Sequence, residues 1–417
     1  MPDKSIINND SQKSSLGPLA QITVIVRGLL ANPTDNEDIP YKPVILKSLT
    51  NKEAVDFAGS ERGPILQKDR KMGAPKNAET RSYPAPLTKG KIPPLFLDAL
   101  DYNAEPENLR KQLRDSFLDY SQRHKSKPEI VCLPELGVLY VDQKDDNSDL
   151  PLSNKVAVVT GAAGAIGYGI CRGLLEKGCH LAATDLEGKK LDAFVADLKK
   201  TGGDRVIGVP IDVTDKDSVS RGFESIVQTW GGIDIVVVNA GIPLVSYLKD
   251  IDLDSFRKLE KVNVEGALIT LAEAAHLFTL QGTGGDIIII SSKNVPSPGA
   301  GFGAYSATKA ACHQLGRIAS LELAQYDVRV NMVAPDAVFS EGKYKSGLWK
   351  EIGPSRMKAR GLDEEQLQEY YKNRNLLQAR ITGRHVSNAV LFFATRQTPT
   401  TGATIPVDGG LPDATPR

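Results

Sequence analysis

The sequence predicts an α/β protein built on a doubly wound parallel sheet, with a smaller α+β region ahead of it. Three observations carry that expectation. Residues 155–185 (KVAVVTGAAGAIGYGICRGLLEKGCHLAATD) begin as a short run that is apolar at every position, Val156 to Val159, as suits a strand buried on both faces. The run breaks at Thr160-Gly161 into a turn of small residues. Ile166, Ile170, Leu174 and Leu175 then recur at helical spacing, and a second run from His180 ends in Asp185. Beyond it, apolar runs and helical periods alternate to residue 410, the order that helical crossovers between parallel strands impose.

Taken in order, residues 1–18 are polar and rich in Ser, Asn and Asp, and read as a disordered tail. Residues 19–150 form the N-terminal region. Within it, 21–30 (QITVIVRGLL) suits either a strand or one side of a helix. Residues 60–94 are rich in Pro, Gly and charge and read as extended and irregular. Residues 105–124 place Leu109, Leu113, Phe117 and Tyr120 on one helical face, and 129–141 read as two strands broken at Pro134-Glu135. Residues 142–154 have linker composition, which sets a boundary near 150.

From 151 to 417 the pattern is strand and helix. A third strand at 206–211 precedes a helix from about 215 with Thr214 as N-cap. A fourth, at 234–241, ends in Asn239-Ala240-Gly241, and a helix at 253–278 carries Asn263. A fifth strand at 286–292 ends in Ser292, and a helix at 303–325 carries Tyr305 and Lys309. A sixth strand spans 328–335, residues 336–384 form a charged, mostly helical lid, a helix spans 386–395 and the last strand and turn 404–410.

Composition bounds the function. The chain of 417 residues holds 51 basic and 51 acidic residues, so no excess charge calls for nucleic acid or an anionic membrane. No apolar run reaches the ~18–20 residues of a membrane span, and the first residues lack a signal-peptide core. A cytoplasmic protein is expected. Four cysteines stand without CxxC spacing and read as buried free thiols; no metal site is expected.

The chemistry is concentrated at predicted strand ends, where such sheets bind ligands. Gly161 permits a tight turn, and the small residues at 162–165 with Gly167 let backbone N–H groups and a helix N-terminus approach a pyrophosphate. Asp185 can accept hydrogen bonds from both hydroxyls of an adenosine ribose; its charge and the lack of Arg or Lys at 162–165 favour NAD over NADP. Lys189 and Lys190 read as helix surface. Tyr305 and Lys309 stand one helical turn apart on one face. An ammonium there, with the charge of an oxidised nicotinamide, favours a tyrosinate able to act as base. Ser292 can hold a substrate oxygen, and Asn263 can position a water that passes protons to Lys309. A YxxxK pair, a strand-end serine or a helical asparagine is ordinary by itself. Together, in this order behind a dinucleotide turn, they fit hydride transfer between an alcohol carbon and nicotinamide.

On the strings TGAAGAIG (160–167), NAG (239–241), Asn263, Ser292 and YSATK (305–309), residues 155–410 resemble the short-chain dehydrogenase/reductase family. The resemblance implies a Rossmann fold and a tetrad of Asn263, Ser292, Tyr305 and Lys309, with Tyr305 as acid/base and Lys309 also on the nicotinamide ribose. It implies cofactor contacts from Gly161, Ala165, Ile166, Gly167, Asp185, Leu186, Asp212, Val213, Asn239, Ala240, Gly241, Tyr305, Lys309, Pro335 and Val338. Ser292, not Ser291, has the family's spacing to the tyrosine. Ala165, Val238 and Asp336 depart from the family's usual glycine, asparagine and glycine; Asp336 either alters substrate choice or caps the following helix.

The strings SSKNVPSPGAGFGAYSATKAA, VAPDAV and EEQLQEYYKNRNLL look like the dehydrogenase half of bifunctional rhamnulose-phosphate aldolase/lactaldehyde dehydrogenases, and 19–150 like a degenerate aldolase half. Those aldolases bind zinc through histidines, whereas residues 1–150 contain one histidine, His124, and Asn77 stands where another is expected. The resemblance implies a small hydroxyaldehyde, polyol or sugar-derived substrate, and a homodimer or homotetramer paired through the helices at 253–278 and 303–325. The competing reading is an assembly or regulatory protein that binds a dinucleotide without turnover.

Overall fold

The computed structural model describes residues 16–59, 92–97, 100–142, 149–340, 342–344, 346, 347, 349 and 353–412. The expected tail at 1–15, the stretch 60–91 with Asn77, residues 143–148 of the linker and 341, 345, 348 and 350–352 of the lid lie outside the described residues.

The N-terminal region opens with α1 (Pro18–Leu30). Residues 21–30 are therefore helical. Ile22, Val24, Ile25 and Val26 are all buried, so the helix is apolar nearly all round and its period is invisible in the sequence. Pro18 starts it where a missing N–H costs nothing. The short β1 (Asn32–Pro33) and β2 (Tyr41–Lys42) pair antiparallel. β3 (Leu46–Leu49), α2 (Lys52–Ala58), β4 (Leu95–Phe96), α3 (Pro106–His124), β5 (Ile130–Leu133) and β6 (Gly137–Val141) follow, with a four-stranded sheet in the order β3-β6-β5-β4. Leu109, Leu113, Phe117 and Tyr120 of α3 are buried along one stripe, as their spacing predicts.

The main body continues through β7 (Val156–Val159), α4 (Ala165–Glu176), β8 (His180–Asp185), α5 (Lys189–Gly202), β9 (Val206–Pro210), α6 (Lys216–Trp230), β10 (Ile235–Val238), α7 (Leu253–Glu260), a π-helical turn (Lys261–Glu265) and α8 (Gly266–Gln281). It ends with β11 (Gly285–Ile290), α9 (Gly303–Leu323), β12 (Val328–Pro335), α10 (Gly353–Arg360), α11 (Glu364–Asn373), α12 (Gly383–Ala394) and β13 (Thr404–Val407). Seven parallel strands run in the order β13-β12-β11-β10-β7-β8-β9. This is the predicted doubly wound sheet. Its strands are apolar throughout because alternate side chains feed two cores: Val156 and Val158 enter one, Ala157 and Val159 the other. The order reverses between β7 and β10, so a crevice opens where their carboxyl ends diverge.

Two local expectations are corrected. The N-cap of α6 is Asp215, whose carboxylate accepts from the Asp217 N–H at 3.0 Å, and not Thr214. Thr214 is drawn back instead: its N–H and hydroxyl both donate to Asp212 Oδ1, at 2.9 and 2.8 Å, closing an Asx-turn at the end of β9. The helix expected at 253–278 is interrupted by the π turn, and Asn263 lies in it.

The N-terminal region is tied to the sheet's amino end. Arg27 of α1 is buried against Asp234, the residue before β10, with Nη2 2.7 Å from Oδ2. The guanidinium also donates to Gln281 Oε1 and to the carbonyls of Val44 and Asn154. Asp234 Oδ2 accepts from the Val156 N–H at 2.7 Å, so one ion pair joins α1, β7, β10 and the end of α8.

Candidate active site

The glycine turn after β7 is shaped by two contacts. Gly161 has φ +59°, and a Cβ there would sit 2.7 Å from Cα of Ala240; a Cβ on Gly167 would lie 2.2 Å from the Ala162 carbonyl oxygen. Larger residues would push the turn off the strand ends. Thr160 locks the turn to the next strand: its hydroxyl accepts from the N–H groups of Asn239 and Ala240 at 3.0 and 3.1 Å. Asn239 returns the contact by donating to the carbonyls of Thr160 and Gly161, both at 2.9 Å. The Asn239-Ala240-Gly241 string is thus a brace for the turn.

At the tip of β8, Asp185 is held by the Ala163 N–H at 3.0 Å on Oδ2 and the Leu186 N–H at 3.0 Å on Oδ1. Lys190 is exposed on the helix surface, as expected, with its Nζ 3.4 Å from Asp185 Oδ2 at the edge of the same cleft.

Ser292, Tyr305 and Lys309 meet around the ends of β11 and α9. Lys309 is buried, and its Nζ donates to the Ile290 carbonyl at 2.9 Å, leaving further donors for the cleft. Ser292 follows β11, and its hydroxyl accepts from the Asn294 N–H at 3.1 Å. Tyr305 is half-buried, with its ring edge-on to Phe302. Asn263 stands behind these groups and does not line the cleft. Its Oδ1 accepts from the Ile242 N–H at 2.9 Å, and its Nδ2 donates to the Ile242 carbonyl at 3.0 Å and the Thr308 hydroxyl at 3.1 Å. Both amide hydrogens are committed, so the side chain ties the β10 loop to α9 beside Lys309. π turns occur often at functional sites because they move one residue off the helical register.

Every other predicted site residue, from Gly161 to Val338, lines one continuous cleft of about 1340 Å³. That exceeds the roughly 300–1,000 Å³ of a small-ligand pocket and suits a dinucleotide together with a substrate. No described residue among 1–150 lines it. Residues of the segment 336–384 line part of it. Tyr344 stacks on Tyr168 with ring centroids 4.0 Å apart, and its hydroxyl donates to Asp197 at 2.7 Å. That hydrogen bond, with those of Lys200 and Lys343, holds the Asp197 carboxyl at about 2, while burial pushes the Tyr344 phenol up.

Asp336 does not cap a helix. It is partly buried, and both of its oxygens face Arg374 of the lid at 3.4 Å. Sequence reasoning missed Tyr344, whose partner lies 147 residues away, and it missed the brace made by Thr160. Thr308 offered a signal, since it sits inside the YSATK string.

Comparison with known proteins agrees with this geometry. The family model described as "short chain dehydrogenase" matches residues 155–350. The chain is 34% identical over 267 residues to the uncharacterized oxidoreductase YuxG of Bacillus subtilis, covering 64% of this chain and only 38% of that protein. It is 30% identical to a glucose 1-dehydrogenase of Gluconobacter oxydans, covering 62% of this chain and 92% of that one. A crystal structure of a short-chain type dehydrogenase/reductase from Mycobacterium marinum aligns at TM-score 0.54 with 26% identity, covering 63% of this chain and 98% of that one. The glycine turn, the parallel sheet and a relative matched over nearly its whole length together place this chain in the short-chain dehydrogenase family.

Proposed function

We propose that this protein is an NAD-dependent oxidoreductase that interconverts a secondary alcohol and its carbonyl form, acting on a small hydroxyaldehyde, polyol or sugar derivative. One observation carries the reading: Ser292, Tyr305 and Lys309 open into the same cleft as the glycine turn and Asp185. The cleft residues fit a nicotinamide dinucleotide, since Gly161 and Gly167 keep the turn closed against Ala240 and Ala162, the turn lines the cleft with open space beside Gly164, and Asp185 presents an acceptor at the ribose position. Bound there, the oxidised dinucleotide supplies the hydride acceptor. Ser292 holds the substrate oxygen by its hydroxyl. Tyr305, as phenolate, takes the hydroxyl proton as the carbon–hydrogen bond is lost with its electron pair, and in the reverse direction it returns that proton to the carbonyl oxygen. Lys309 keeps its charge close to Tyr305, and Asn263 positions the helix that carries both. NAD is preferred over NADP because Asp185 opposes a 2′-phosphate and Lys190 is turned toward that carboxylate.

Leu268, Ile318 and Leu321 are exposed on α8 and α9, which supports pairing of two copies through those helices as a homodimer or homotetramer. The four cysteines are all buried and show no CxxC spacing, which supports a cytoplasmic setting. We read residues 19–150 as a degenerate aldolase half, and 151–417 as the dehydrogenase. In support, the single histidine of residues 1–150, His124, packs its ring at a tilt against Tyr120, with centroids 4.4 Å apart. Among the described residues no helix is long and apolar enough to cross a membrane.

The test is absorbance at 340 nm with NAD and a panel of lactaldehyde, polyols and aldoses. Turnover is expected, and Tyr305→Phe is expected to abolish it while NAD binding changes less than about threefold. Turnover unaffected by the substitution refutes the mechanism. NAD binding without turnover of any compound shifts the reading to a binding protein.

A further inference from the structure

The segment 336–384 brings positive charge to the cleft. Three lid arginines line it, and one is already neutralised: Arg374 faces Asp336 and lies over the Tyr371 ring at 4.9 Å. Arg356 and Arg360 differ from it. They stand four apart on α10, one turn apart on one face, and neither makes an ion pair among the described residues.

Arg356 is the better defined. Its Cζ lies 4.6 Å from the centroid of the Phe302 ring, and that ring meets the ring of Tyr305 edge-on at 6.2 Å. One aromatic ring therefore separates the guanidinium from the proposed acid/base. Its Nη2 reaches the Ala300 carbonyl only at 3.4 Å, and its Nε is buried without a hydrogen-bond partner. Nε and Nη2 form the side-on edge of the guanidinium fork, the edge that takes both oxygens of a carboxylate or phosphate. A buried donor left unfilled is costly, and a flat cation braced on an aromatic face is held in place to receive an anion.

We infer that Arg356 binds an oxyanion on the substrate, a carboxylate or phosphate at the end of the molecule away from the reacting carbon, with Arg360 adding a second charge at the cleft mouth. This rests on the dehydrogenase reading and narrows its substrate class to anionic hydroxy compounds. Arg356 is a specificity residue here and takes no part in the hydride or proton transfer.

Two measurements test the inference separately from the reading it rests on. The first compares kcat/KM, with NAD, for matched pairs: glycerol against glycerol 3-phosphate, and erythritol against erythronate. The anionic member is expected to be favoured at least tenfold. Arg356→Met is expected to cost it at least ten times more than it costs the neutral member, chiefly through KM, with part of the loss restored by Arg356→Lys. Preference for the neutral member, or equal losses on both, overturns the inference. The second is calorimetric titration of the NADH-saturated protein with inorganic phosphate. Binding weakened at least tenfold by Arg356→Met supports the anion site even if none of the pairs is turned over, the outcome in which the dehydrogenase reading itself is in question. Absent binding, or binding that Arg356→Met leaves unchanged, overturns the anion site whatever the panel shows.

Discussion

At the scale of single residues, cofactor choice turns on Asp185. Its two oxygens already accept from the Ala163 and Leu186 N–H groups, so the carboxylate is fixed in direction before any ligand arrives. Hydrogen bonds to a charged acceptor contribute about 1.5–3 kcal/mol each. Asp185→Ala is therefore expected to raise the KM for NAD by about 10- to 100-fold. It also frees Lys190, now 3.4 Å from that acid, to meet a 2′-phosphate, so the variant is expected to use NADP better than the parent does. Steady-state kinetics with both cofactors check this, and an unchanged NAD/NADP ratio would refute the role given to Asp185. Residues of this kind were legible in the sequence because each sits at a strand end that the apolar pattern marks. The contact of the exposed Lys190 with Asp185 was not, since a lysine one turn into a helix carries the same sequence signature with or without an acid in reach. Asp336 was visible only as a departure; its partner Arg374 lies in the lid, and no periodicity connects the two.

At the scale of elements, the alternation of strands and helices from 155 onward was legible because each parallel strand is apolar on both faces. The helix 21–30 was ambiguous for the same physical reason, burial all round. What holds it is a charge that composition cannot locate. Arg27 is buried with Asp234 and is also bonded to Gln281 and to two backbone carbonyls. Removing one partner of such a pair leaves the other charge buried and alone, a loss of about 3–5 kcal/mol. Arg27→Met is expected to lower unfolding stability by that amount in urea titration. Because no described residue of 1–150 lines the cleft, kcat measured well below the unfolding midpoint should stay within about twofold, a change worth less than about 0.5 kcal/mol on the tenfold-per-1.4 kcal/mol scale. A stability loss under about 1 kcal/mol, no more than a surface pair contributes, would show that water or Gln281 replaces the lost cation.

At the scale of the whole molecule, the cleft and the N-terminal attachment occupy opposite ends of one sheet. The attachment end carries a second buried pair, Arg396 with Asp286 at 2.9 Å, and Arg396 also donates to the Asp38 carbonyl. The sheet thus fixes its carboxyl ends for chemistry and spends its amino ends on anchoring residues ahead of 150. The helices between them carry the pH response. Burial holds His276 on α8 and His313 on α9 below the usual 6.5, with Arg317 adding to the effect on His313. Both are held neutral by the fold, whereas the unfolded chain binds protons on them as pH falls below 6.5, so this contribution to stability is present above 6.5 and is lost on acidification beneath it. Asp197, held at about 2, keeps its charge through that window and does not add to the slope. The urea midpoint is therefore expected to be lower at pH 5.5 than at pH 7.5, and the difference should shrink in the double variant His276→Gln, His313→Gln. His313 Nδ1 lies 2.9 Å from the hydroxyl of Ser291, so a glutamine there keeps a polar partner while removing the titration. If the double variant retains the full pH dependence of the parent, the acid sensitivity belongs to carboxylates and not to these two helices.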